Sequence, residues 1–128
     1  MVIKQNCQQI VPFNIVSVTD ETNAPYNLDN VTHIEFCFGD GRRNKQVIKT
    51  WYKDTNSSIP DGSINKTTDA DGNALFNVLI TENDSKFWTD SLTIQARIAY
   101  QFNGPQLTES TELCLVPVRP TVSTKSML

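Results

Sequence analysis

His33 is the only histidine in the chain, so an imidazole-based acid–base or nucleophilic site would have to be built around it. It sits in an extended run, VTHIEFCF, with no nucleophile elbow and no catalytic-cysteine signature in the sequence to accompany it. That context reads as a surface or cross-strand histidine. Gly39-Asp40-Gly41 lacks the lysine and the following helix of a phosphate cradle, and there is no Walker loop. Asp69-Ala70-Asp71-Gly72-Asn73 has the start of a calcium loop. It lacks the bidentate glutamate and flanking helices of an EF-hand and reads as a β-turn. Asp54 and Asp61 are further carboxylates whose distance from Asp69 and Asp71 the sequence does not fix. Trp51, Tyr52, Phe87 and Trp88 could form an aromatic platform for a sugar, although packing under a loop is the commoner fate of such residues. No catalytic residue, cofactor or metal ligand is assigned on these grounds, and a non-enzymatic role is the expectation.

Cys7, Cys37 and Cys114 are odd in number and widely spaced, without a CxxC. They are expected to be reduced, with Cys37 and Cys114 as buried thiols inside strands. An inter-sheet bridge between these two stays open in principle, but a cytosolic origin disfavours it. The sequons at Asn30, Asn56, Asn65 and Asn83 are taken as chance in an Asn- and Thr-rich chain.

The elements that must position these residues are strands. The most informative stretch is residues 74–100, ALFNVLITENDSKFWTDSLTIQARIAY. Phe76, Val78 and Ile80 share one face of an extended segment. Thr81 and Asp84 then form a capping-box-like pair, with Asp in place of the usual Glu or Gln, for a short helical turn near 81–88. Leu92, Ile94, Ala96, Ile98 and Tyr100 alternate with Thr93, Gln95, Arg97, Ala99 and Gln101. This is the cleanest period-two run in the chain and predicts a central strand; an amphipathic helix over 91–101 is the weaker alternative.

Around this unit, residues 8–19 read as a first strand. Its apolar phase shifts near Ile15–Ser17, which predicts a bulge. Pro12 cannot donate to a ladder, so this strand is expected at a sheet edge or at a switch between sheets. Residues 20–30 read as a loop. Residues 31–38 are a strand with Ile34, Phe36 and Phe38 on one face, and 45–52 another, with Val47, Lys49 and Trp51 on one face. A short edge strand is expected at 63–67. A last strand is expected at 106–118, with Leu113 and Leu115 opposite Cys114, Val116 and Val118. Arg42 and Arg43 sit at the tip of the turn after Gly39. About seven short strands and almost no helix predict an all-β fold, an immunoglobulin-like antiparallel β-sandwich. One domain, residues 1–120, would be followed by a polar tail, 121–128, ending in Met127-Leu128.

The chain has 128 residues, 11 Lys and Arg against 14 Asp and Glu, and a net charge of -3. Beyond Arg42, Arg43 and Lys45 the basic residues do not cluster, so no nucleic-acid partner is expected. No apolar run approaches the ~20 residues of a membrane span, so no membrane partner is expected. MVIKQNCQQIVPF is too polar for a signal-peptide core, so synthesis in a cytoplasm is expected.

The order of several segments carries a family resemblance. PFNI in the first strand precedes DET..PYNLDNVTHIEFCF, then G.ALFNVLITENDSKF, LTIQARIAY and ES.ELCLVPV. This order resembles small immunoglobulin-like structural proteins of tailed bacteriophages, including the N-terminal domain of baseplate upper proteins of siphophages. The family's turn before the second strand is matched by Asn27-Leu28-Asp29-Asn30. Its helical turn is matched by Leu79, Thr81, Asp84 and Phe87, offset at Ile80, and its Q.R strand by Gln95 and Arg97. The resemblance spans about residues 3–118 and rests on motif order. It implies a virion structural protein, made in the bacterial host cytoplasm, that contacts other virion proteins and itself in the tail, baseplate or head–tail region. Family members with a receptor-binding or fibre role continue into a coiled coil or further domains. A chain closing at Leu128 suits a small adaptor, decoration or plug. Head decoration, or carbohydrate-binding adhesion to a host surface, is the alternative. Candidate partner contacts are Pro12, Arg42, Arg43, Met127 and Leu128.

Overall fold

The computed structural model describes residues 2–19, 22–25, 27–40, 45–53, 63–86, 88, 91–101, 103–121, 123 and 125–128. Arg42, Arg43, Asp54, Asn56, Asp61 and Phe87 lie outside the described residues.

Eleven strands and one short helix make up the described chain. They are β1 (Ile3–Lys4), β2 (Gln9–Asn14), β3 (Val16–Thr19), β4 (Thr22–Pro25), β5 (Val31–Asp40), β6 (Lys45–Tyr52), β7 (Ile64–Thr68) and β8 (Ala74–Ile80), then α1 (Glu82–Ser85), β9 (Ser91–Gln101), β10 (Gln106–Ser110) and β11 (Cys114–Arg119). The main sheet runs β1-β11-β9-β5-β6, with β10 also on β9; a second sheet runs β2-β8-β7; β3 and β4 form a hairpin of their own. The fold is an all-β sandwich.

β9 is the central strand its alternation predicts. It pairs with β5 on one side and with β10 and β11 on the other. Leu92, Ile94, Ala96 and Ile98 point inward and are buried. They meet Ile34, Phe36 and Phe38 of β5 and, across the sandwich, Phe76, Val78 and Ile80 of β8. Phe36 lies 5.1 Å from Phe13 and 5.4 Å from Phe76, ring centre to ring centre, so three strands share one aromatic contact.

Local chemistry sets the strand ends. The first strand breaks at Ile15, where the phase shift predicts a bulge; β2 stays with β8, and the chain beyond joins the β3–β4 hairpin. Pro12 lies opposite Asn77 on an edge strand, where its missing N–H costs no ladder bond. At Thr32 the β5–β9 register slips between Val31 and His33. Thr81 and Asp84 form a complete capping box, Thr81 Oγ1 accepting from the Asp84 N–H and Asp84 Oδ2 from the Thr81 N–H. The 27–30 turn is held by Asn27 Oδ1, which accepts from the Asp29 N–H at 2.9 Å, and by Lys53 Nζ, which donates to Leu28 O and Asp29 O.

Several expectations need correction. Among the described residues the strands number eleven, not about seven. Thr22–Pro25, read as loop, pairs with β3 as a strand. The last strand is two, β10 and β11, because Thr111 turns its own hydroxyl and N–H to Ala96 and interrupts the ladder. The sheet is not wholly antiparallel: β1 runs parallel to β11. The short helical turn expected near 81–88 is present as α1, Glu82–Ser85.

Candidate partner-contact site

The two ends of the described chain meet at α1. The Gln5 N–H donates to Arg119 O, and Thr121 answers by donating its N–H to Gln5 Oε1 and its hydroxyl to Gln5 O. Asn6 adopts φ 51°, a left-handed conformation that Asn tolerates better than most residues. That geometry lets its N–H reach Ser85 O and its side-chain amide donate to Ser123 O at 3.1 Å. Ser85 is fully buried, and its hydroxyl accepts from the Cys7 N–H while lying within 3.2 Å of Cys7 O and Thr81 O. Either carbonyl can take its single proton. This serine is a structural clamp between α1 and the start of β2.

The last residues of the tail are held by one carboxylate. Glu82 Oε1 accepts from the Ser126 hydroxyl at 2.6 Å, and Oε2 from the Met127 N–H at 2.9 Å. The Ser126 hydroxyl and then the Met127 N–H hold the Glu82 carboxyl below its ordinary range, against a smaller opposing effect of desolvation. A groove of about 380 Å³ runs between α1 and this tail, with Asn6, Gln8, Glu82 and Lys86 in its walls. The backbone of the tail is thereby fixed while its apolar side chains are not covered: Met127 is 87% exposed and Leu128 81%.

Of the residues expected at partner contacts, Met127 and Leu128 come together here. Pro12 does not join them. It is exposed on β2, about 13 Å of extended chain beyond Gln8. Thr121, the first residue of the expected tail, is bonded to Gln5. Glu82, Asn6 and Ser126 are not among the expected contact residues, and no local spacing in the sequence links Glu82 to Ser126.

The residues read for other chemistry have structural partners. His33 Nδ1 lies 3.1 Å from Thr32 Oγ1, and its ring packs on Tyr52 at 5.6 Å. Asp69 Oδ1 accepts from the N–H groups of Asp71 and Asn73, and Oδ2 from the Asn14 amide. The Asn73 N–H foremost, with the Asp71 N–H and side-chain contacts, holds the Asp69 carboxyl below its ordinary range despite some desolvation. This carboxylate closes the β7–β8 turn, which also uses Gly72 at φ 83°. Among the described residues no group of three or more His, Cys, Asp or Glu is placed to hold a metal ion. Trp88 is buried and stacks on Phe38 at 5.9 Å, and Trp51 meets Phe76 edge-on at 5.1 Å, so both pack into the core.

The three cysteines are free. Cys37 lies opposite Gln95 and Cys114 opposite Ile94, on the two sides of β9. Two strand spacings put them about 10 Å apart in one sheet, beyond the reach of a disulfide. The expectation that both thiols are buried is corrected: Cys37 is half-buried and Cys114 exposed. The break at Thr111–Leu113 leaves the first residue of β11 uncovered.

No family model and no curated protein matches the chain. No helix among the described residues is long and apolar enough to cross a membrane.

Proposed function

We propose that the chain is a non-enzymatic structural protein of tailed-phage particles, assembling through protein contacts in the tail, baseplate or head–tail region. The order of motifs from Pro12 to Val118 supports this reading, and the immunoglobulin-like relationship belongs to it. The observation that carries it is the display of Met127 and Leu128. Fixing a backbone through Glu82 while leaving two large apolar side chains more than four-fifths exposed suits a contact arm for another protein chain. Pre-ordering also reduces the entropy lost on docking.

The test is complementation in infected cells with a chain lacking residues 125–128, which keeps the Thr121–Gln5 bonds. The truncated protein is expected to stay folded and to enter particles poorly. Incorporation at the full-length level would refute the contact-arm role.

A further inference from the structure

We propose that the chain self-associates head to tail, with the side chain of Met127 or Leu128 of one copy entering a cleft on the side of the next. This rests on reading the tail as a contact arm and names its partner as a second copy of this chain. The cleft opens where the last strand breaks. Phe13 and Ile15 wall it on one side, Ile94 and Ala96 on the other, and Glu112 and Cys114 stand at its edge. Its volume is about 120 Å³. A dry apolar cavity of ~150 Å³ accepts a benzene ring, so this cleft has room for one Leu or Met side chain.

Charge favours the same occupant. Lys125, two residues before Met127, is exposed, and so is Glu112 beside the cleft. A tail entering the cleft brings an ammonium toward that carboxylate.

The occupant must come from another copy. Gln8 lines the tail groove and Phe13 the cleft. Five residues of nearly extended chain separate these points by roughly 16 Å. Beyond Ser126, which Glu82 holds, two residues reach ~7 Å at most. The tail cannot fill its own cleft while Glu82 holds it. Donor and acceptor are different surfaces, so the contact is heterologous. It builds a ring if the rotation closes and a filament if it does not.

Cys114 supplies the test on the full chain. Leu128→Cys, and separately Met127→Cys, are treated with a mild oxidant and run without reductant. At least one is expected to give covalent multimers that disappear when Cys114→Ser is added. Multimers that persist with Cys114→Ser, or none above the unsubstituted chain from either variant, would overturn the proposal. Sedimentation provides the second arm. Glu112→Lys is expected to weaken association roughly two- to fivefold, the range of an exposed ion pair, and adding Lys125→Glu to restore it. A chain monomeric at every concentration, or indifferent to Glu112→Lys, would also overturn it. Neither result touches membership of a particle, which is decided on purified particles.

Discussion

The Lys49 ammonium lies 3.0 Å from Asp84 Oδ2, joining the inner face of β6 to the first turn of α1. Lys49 stands directly opposite Phe36, in the same row as Val47 and Trp51. Both charged side chains are largely covered, 16% exposed for Lys49 and 19% for Asp84. The same Asp84 oxygen accepts the Thr81 N–H at 2.9 Å. One carboxylate therefore caps the helix and neutralises a cation turned toward the core.

Asp84→Ala removes both roles and is expected to cost about 1–3 kcal/mol. Lys49→Met is expected to cost less, because Asp84 keeps its cap while the inner row gains apolar surface. Chemical denaturation of the two variants and their double mutant measures the coupling. Equal losses from the two single substitutions would contradict this division. Desolvation raises the Asp84 carboxyl, but the Thr81 N–H, the Lys49 hydrogen bond and charge, and the Thr81 hydroxyl outweigh it and leave the pKa lowered. The linked stability is therefore present above the unfolded carboxylate range near pH ~4. It is lost as pH falls through the lower folded value.

The aromatic centre should dominate stability. Phe36 is fully buried between Phe13 and Phe76, so Phe36→Ala is expected to cost about 3–5 kcal/mol. Leu115 is 72% exposed on the far face of β11, and Leu115→Ala should stay within about 0.5 kcal/mol. Thermal or urea unfolding separates the two cases.

Thiol labelling should rank the cysteines. Burial, and then the Glu35 carboxylate, push the Cys37 thiol up, with Arg97 partly opposing them. Cys114 is exposed. An alkylating reagent at neutral pH is expected to modify Cys114 well before Cys37, and reductant should leave the melting temperature unchanged. A drop of several degrees with dithiothreitol would reveal a bridge that the strand positions forbid.

The tail latch has a pH sign of its own. The Glu82 carboxyl is lowered by the Ser126 hydroxyl and the Met127 and Leu128 N–H groups. Tail docking is therefore complete above the ordinary carboxylate range and is lost as pH falls through the depressed Glu82 value. The Met127 amide resonance should report this with a midpoint below the ~4.3 of a free glutamate. Glu82→Gln should release the tail at neutral pH, seen as faster tryptic cleavage after Lys125. An unchanged cleavage rate would mean that the carboxylate does not hold the tail.

The sheet core was legible because period-two contrast is strong in it. Leu92–Ile98 alternates with Thr93, Gln95 and Arg97, Ile34–Phe38 with Glu35 and Cys37, and Phe76–Ile80 with Asn77 and Leu79, and each apolar row is buried. Thr81 and Asp84 announced the helix, and Pro12 announced an edge, through chemistry local to a few residues. The rest depends on contacts distant in sequence. Thr22–Pro25 has no apolar row, so its pairing with β3 left no periodic mark. Ile3–Lys4 is too short for a pattern. The break at Thr111 was hidden because Leu113, Cys114 and Leu115 look like a strand continuing through it. The inward turn of Lys49 and the tail latch at Glu82 each need a partner that no spacing indicates. The site was thus visible only as two exposed apolar residues, Met127 and Leu128, without the groove that holds them.

The central claim is that this chain is part of a phage particle. Quantitative mass spectrometry of particles purified from a phage carrying this sequence tests it most directly. The account predicts the full-length chain at a fixed copy number per particle, retained through density-gradient and high-salt washing. Its absence from particles, while it is present in the infected-cell lysate, would contradict the claim.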